Sequence, residues 1–197
     1  MQIDKDGHVV DQRVKQEIRP LLERGAMPVV AGIIVHQTDA STAQSSLDTY
    51  KTRPIGAHFL IDKDGTIYQT AAVTQRVNHV GKLRARCIAE HSCGPKETAE
   101  IAHMTPSARN RHEMEKNAPT RYPSNIDSIG IELVGKSTPA TRPGQPALYE
   151  SVTAAQNASL AWLVTGLSDA LKIKTTEIFR HPTASQKTPS EAETARW

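Results

Sequence analysis

The chain has 197 residues, of which 23% are charged and 38% hydrophobic, a balance that fits one folded domain and excludes a disordered chain. Aromatic residues amount to 4% and no zinc-finger or RNA-binding motif occurs, which argues against a nucleic-acid partner held on stacking platforms. A formal charge of +3 assists attraction to an anionic polymer without identifying one.

Taken in chain order, Val14, Ile18, Leu21 and Leu22 fall on one face of an amphipathic helix over residues 11–24, ended or kinked near Pro20. The run Pro28 to Val35 is apolar and β-branched, too short for a long helix, and reads as a buried strand leading into His36. Residues 42–50 read as a helix, with capping candidates in Thr38 to Ser41. His58–Ile61 and Thr66–Gln69 flank an Asp64-Gly65 step, the signature of a hairpin, and an extended piece follows near Arg76 to Val80. Residues 82–124 are polar and without clear periodicity, which predicts an elaborated surface loop. The densest basic cluster, Lys82, Arg84 and Arg86, reads as a solvated face of that loop. Cys87 and Cys93 lie in it and can be disulfide-bonded, free, or metal-bound.

Asp127 to Val134 predicts a strand with Ile129, Ile131 and Leu133 on one face. Pro139, Pro143, Gly144 and Pro146 mark a loop. Val152 to Leu171 predicts the longest helix, its buried stripe formed by Leu160, Leu163, Val164, Leu167 and Leu171, with a capping box between Thr153 and Gln156. Glu177 to Arg180 suits a last short strand ending on His181. The alternation of strands and helices gives an α/β fold with a mixed sheet.

Three of these positions carry chemistry. His36 and His181 stand at strand ends, where neighbouring strands can present two neutral imidazoles to one metal ion. Taken alone, either histidine reads as an ordinary residue of a strand end rather than a ligand. Glu132 shares a face with Gly130 and Ser128 on an otherwise apolar strand, so it needs a partner, an exposed sheet face, or a role as a general base.

Five segments, in order, resemble the N-acetylmuramoyl-L-alanine amidase family, which includes phage amidase-type lysozymes, bacterial anhydro-muropeptide amidases and animal peptidoglycan recognition proteins. They are Ile33-Ile-Val-His-Gln-Thr38, Ala57-His-Phe-Leu-Ile-Asp-Lys-Asp-Gly-Thr-Ile-Tyr-Gln69, Asn78-His-Val-Gly81, Asn125-Ile-Asp-Ser-Ile-Gly-Ile-Glu-Leu-Val-Gly135 and His181-Pro-Thr-Ala-Ser-Gln-Lys187. The resemblance implies a single α/β domain over residues 1–197, a central mixed sheet flanked by helices, with the loop at about 82–124 as an insertion. It implies that zinc is the cofactor, that His36 and His181 bind it, that Glu132 is the base and that Lys187 holds the developing oxyanion. His58 and His79 would line the substrate groove or brace local loops.

One departure stands out. The family places Cys or Asp shortly after the lysine as third ligand, whereas Lys187 is followed by Thr188-Pro189-Ser190. Glu191 is the nearest carboxylate, and Cys87, His91 or Cys93 can substitute if the long loop reaches in. The expected substrate is peptidoglycan or a muropeptide. The gap in the ligand set also sustains a second reading, a peptidoglycan-binding module without catalysis. No stretch reaches the ~20 apolar residues of a membrane span. Met1 to Val10 lacks an apolar signal core, so synthesis in the cytoplasm without a signal peptide is expected, with action in the periplasm or cell wall. A delivered antibacterial toxin, with a secretion carrier or immunity protein as partner, or a phage-type lysin fits better than a recycling enzyme.

Overall fold

Eight strands and six α-helices follow one another in the computed structural model, which describes residues 1–140, 142 and 144–197. Thr141 and Pro143, in the predicted loop, lie outside the described residues. The strands are β1 (Val14–Gln16), β2 (Gly32–Gln37), β3 (Phe59–Ile61), β4 (Ile67–Gln69), β5 (Ser128–Leu133), β6 (Ser137–Thr138), β7 (Leu148–Tyr149) and β8 (Ile178–Arg180). The helices are α1 (Ala43–Thr49), α2 (Arg86–Ala89), α3 (Pro95–Ala102), α4 (Pro106–Met114), α5 (Ala154–Leu171) and α6 (His181–Ala184).

Six strands form one mixed sheet in the order β1-β4-β3-β5-β2-β8, in which only the β3–β4 hairpin is antiparallel. The remaining pair, β6 and β7, makes a small separate ribbon. Because side chains alternate, Ile33 and Val35 of β2, Ile129, Ile131 and Leu133 of β5 and Phe59 and Ile61 of β3 share the face that packs on α5 through Leu160, Leu163, Val164 and Leu167. All eleven of these side chains are buried, which accounts for the near-continuous apolar run of β2. Thr153 and Gln156 form the capping box that starts α5, and Lys172 closes it in a left-handed conformation with φ of 59°.

The opposite face is mixed. Ile34 packs there with Val80, Leu83, Tyr122 and Ala184, and Leu60 with Ala43, Leu47 and Val134. Between these patches lie His36, His58, Gly130 and Glu132, of which His36 and Glu132 stand near the carboxyl ends of the parallel strands β2 and β5. Ligands bind at such strand ends in open α/β sheets.

Several local expectations need correction. Residues 11–24 are no amphipathic helix: Val14–Gln16 is an edge strand beside β4, and only Pro20–Leu22 makes a turn of 3-10 helix. The helical spacing of Val14, Ile18, Leu21 and Leu22 was accidental, since Leu21 is exposed, and Pro20 has no amide proton to continue such a helix. The buried strand begins at Gly32 rather than Pro28, and Val29 is exposed. The segment 82–124, expected as a loop, holds α2, α3 and α4, of which α3 and α4 each start with a proline at the first turn. These helices are too short to display a clear apolar period. Arg86 is likewise no solvated residue. Its guanidinium bonds the Glu177 carboxylate at 2.6 and 3.1 Å and lies near the Tyr122 and Phe179 rings, fastening the insertion to the strand that delivers His181.

Candidate metal centre and active site

His36 lies at the fifth position of β2 and faces the mixed side of the sheet. Its register partner on β5 is Glu132, so both side chains emerge together. β8 runs parallel on the other flank of β2, and the residue after its last, His181, opens α6 with its ring turned to His36. The two Nδ1 atoms are 2.8 Å apart. Ten residues further on, Glu191 brings Oε1 to 2.9 Å from His181 Nδ1 and 3.7 Å from His36 Nδ1. His36, His181 and Glu191 are all buried, and their ligand atoms lie within 4.8 Å of one another.

The chain takes Glu191 inward by a specific route. Gln37, next to His36, accepts a hydrogen bond from the Ala192 amide at 3.1 Å and donates to the Glu150 carbonyl at 2.8 Å. Ala192 has a positive φ of 54°, the local strain that turns the carboxylate toward the histidines. Sequence reasoning gave Gln37 no task, although it sits within the motif matched at Ile33 to Thr38. The other candidate ligands do not approach. Cys87 and Cys93 are bonded to each other, and His91 is exposed in the turn between them.

Electrostatics fit this donor set to a cation. Burial, with the nearby His181, holds the His36 imidazole down at about 4, so it is neutral near pH 7. Burial works against ionisation of Glu191, but the hydrogen bond with His181 and the proximity of His36 overcome it and bring its carboxyl to about 2. Two imidazoles and an ionised carboxylate in a buried cluster are a fitting zinc set.

Glu132 is in the opposite condition. Burial and the Glu191 charge push its carboxyl up to about 8, while the Lys187 charge pulls the other way. Its Oε2 is buried and has no hydrogen-bond partner among the described residues. Glu132 lines a cavity of about 430 Å³ together with Thr38, Asp39, Ser41, Ser45 and Thr49. Lys187 is exposed, and its charge reaches both Glu132 and His36.

The two remaining histidines are buried. His58 is fully buried with both ring nitrogens committed: Nδ1 accepts from the Gly130 amide at 3.0 Å, and Nε2 donates to the Gln75 carbonyl at 2.8 Å. It braces β5. His79 is 8% exposed and its Nδ1 lies 3.0 Å from His36 Nε2, behind the candidate metal centre. Gly130 makes room for it, since a Cβ there would stand 2.7 Å from His79 Nδ1.

A sequence model described as N-acetylmuramoyl-L-alanine amidase matches residues 26–193. The chain belongs to the N-acetylmuramoyl-L-alanine amidase family. The amidase is an enzyme that acts on peptidoglycan, and its mixed sheet with flanking helices is the fold of its structural neighbours. A selenomethionine derivative of AmpD aligns with a TM-score of 0.57 at 18% identity, covering 96% of this chain and 94% of that one. The catalytic domain of XlyA aligns at 0.52 and 19% identity, with 89% of each chain covered. AmiD of E. coli, in complex with anhydro-N-acetylmuramic acid-L-Ala-D-γ-Glu-L-Lys, aligns at 0.54 and 17% identity over 92% of this chain and 57% of that one. A search of curated protein sequences finds no match. Among the described residues of the amidase, no helix is long and apolar enough to cross a membrane.

Proposed function

We propose that the amidase holds one zinc ion with His36, His181 and Glu191 and hydrolyses the amide between N-acetylmuramic acid and L-alanine, with Glu132 as general base. The observation that carries this reading is the buried Oε2 of Glu132, without a partner among the described residues, beside a neutral-imidazole and carboxylate donor set. When bound, zinc supplies Lewis acidity, lowering the pKa of water toward ~7 and polarising a carbonyl.

The chain's own groups account for the rest. Glu132 removes the proton from the attacking water and passes it to the leaving amine of L-alanine. Its carboxyl stands at about 8 in the metal-free chain because burial disfavours its charge and Glu191 repels it. A cation compensating Glu191 lowers that value toward the working pH, where a base is most effective. Lys187 supplies positive charge for the developing oxyanion, an interaction worth ~2.7–4 kcal/mol in preorganised sites. The hydroxyl-lined cavity beside Glu132 offers hydrogen-bonding partners suited to a muropeptide.

A binding module would share the groove, but it would have no use for an unpaired carboxylate, which costs stability wherever it is buried. The disulfide between Cys87 and Cys93 supports action outside a reducing cytoplasm, in periplasm or cell wall. That is the setting of a delivered antibacterial toxin, which would need a carrier and an immunity protein, or of a phage-type lysin. The test is release of stem peptide from purified sacculi by protein stripped with chelator and then reloaded. Activity lost on stripping and restored by zinc is expected. Binding to sacculi without release, zinc present, would leave only the module.

A further inference from the structure

We propose that His79 is a positioning residue of the metal centre, which fixes the tautomer of His36 so that Nδ1 always presents a lone pair to His181 and Glu191. The inference rests on the zinc reading above and follows from donors and acceptors alone. His79 Nε2 lies 3.2 Å from the Ser128 carbonyl oxygen, which can only accept. The Ser128 hydroxyl, also 3.2 Å from Nε2, commits its own proton to the Ser124 carbonyl at 2.6 Å, so it too accepts. Nε2 of His79 therefore carries the proton and Nδ1 is bare. His36 Nε2, 3.0 Å from that bare nitrogen, donates to it. A neutral imidazole with its proton on Nε2 has none on Nδ1, the atom that faces the other two ligands.

The relay is anchored at both ends. The Asn125 side chain accepts from the amides of His79 and Val80 at 2.9 and 2.6 Å and donates to the Val80 carbonyl at 3.1 Å, holding the His79 backbone. The ring rests against Gly130, two residues before Glu132 on β5, so one strand carries both the base and the seat of the relay. His181 has no such support. Its Nδ1 faces Glu191 Oε1 at 2.9 Å, and its buried Nε2 has no partner among the described residues. His36 is thus preset as a ligand, whereas His181 must move its proton from Nδ1 to Nε2 before it can bind.

Two measurements test this. Nitrogen-15 NMR of the metal-free protein should show His36 protonated at Nε2 and His79 protonated at Nε2. His36 protonated at Nδ1 would overturn the proposal, whether or not the protein binds zinc. Zinc competition against a chelator should then show His79→Leu weakened ~10–100-fold, the usual loss on removing such an outer partner. His79→Asn, whose side-chain oxygen can stand where Nδ1 stood, should recover most of the affinity. Unchanged zinc affinity in His79→Leu, with only KM raised, would make His79 a substrate contact instead. If His79→Leu fails to fold, the tautomer measurement on the parent still decides. A parent that binds no zinc would refute the metal reading and leave the tautomer assignment to stand or fall by the spectrum.

Discussion

His36 and Glu132 are register partners on adjacent parallel strands, so a candidate metal ligand and a candidate base leave the sheet on the same face, one strand spacing apart. Neither can be shifted alone, because a one-residue slip would turn every side chain of β2 or β5 to the other face.

This pairing makes the metal a separable part of the structure. His36→Ala should drop zinc from about one per chain to near none, as expected for loss of one ligand of a hydrolytic site. The fold should survive, because the core between the sheet and α5 is built without the ligands. Elemental analysis with circular dichroism checks both points. Full zinc retention would remove His36 from the site.

The third ligand is tested by a pair of variants. Glu191→Ala should weaken zinc binding strongly, since its Oε1 lies 2.9 and 3.7 Å from the Nδ1 atoms of His181 and His36. Cys93→Ser should leave zinc affinity unchanged, because its sulfur is bonded to Cys87. The reverse result in a chelator competition would move the ligand into the insertion.

Glu132 gives a pH signature in the metal-free protein. Its carboxyl rises from an ordinary 4.5 to about 8 on folding. A raised pKa means its favourable contribution is complete below 4.5 and is lost as pH climbs to about 8. Glu132→Gln cannot ionise, so under chelator it should match the parent in thermal stability near pH 4 and exceed it increasingly up to pH 8, where the gap levels off. A gap independent of pH would contradict the buried, unpaired carboxylate.

Gly130→Ala should displace His79, since the new Cβ would stand 2.7 Å from Nδ1. Overpacking of this kind costs ~1–3 kcal/mol. Denaturant melts of the metal-free protein check the stability, and an unaltered midpoint would show that the ring yields freely.

Much of this was legible in the sequence where the local signal is strong. The Asp64-Gly65 turn, the Thr153–Gln156 capping box and the alternation around Ile129, Ile131 and Leu133 each specify their element by nearest-neighbour chemistry. Glu191 was visible only as the nearest carboxylate, because its approach depends on the bond from the Ala192 amide to Gln37, 155 residues away in sequence. The same holds for His79, whose partners Asn125 and Ser128 come from another strand and its loop. The edge strand at Val14 was hidden by an accidental helical spacing, and the insertion's helices by their brevity.

The most direct test compares the zinc-loaded parent with Glu132→Gln on purified sacculi, following two new chain ends: free lactyl groups on the glycan and free amino termini on L-alanine. The account predicts that the parent yields both in equal amounts. It predicts that Glu132→Gln, with zinc content and sacculus binding unchanged, releases them ~10²–10⁴-fold more slowly. Release by Glu132→Gln at the parental rate, or cleavage by the parent that frees neither end, would contradict it.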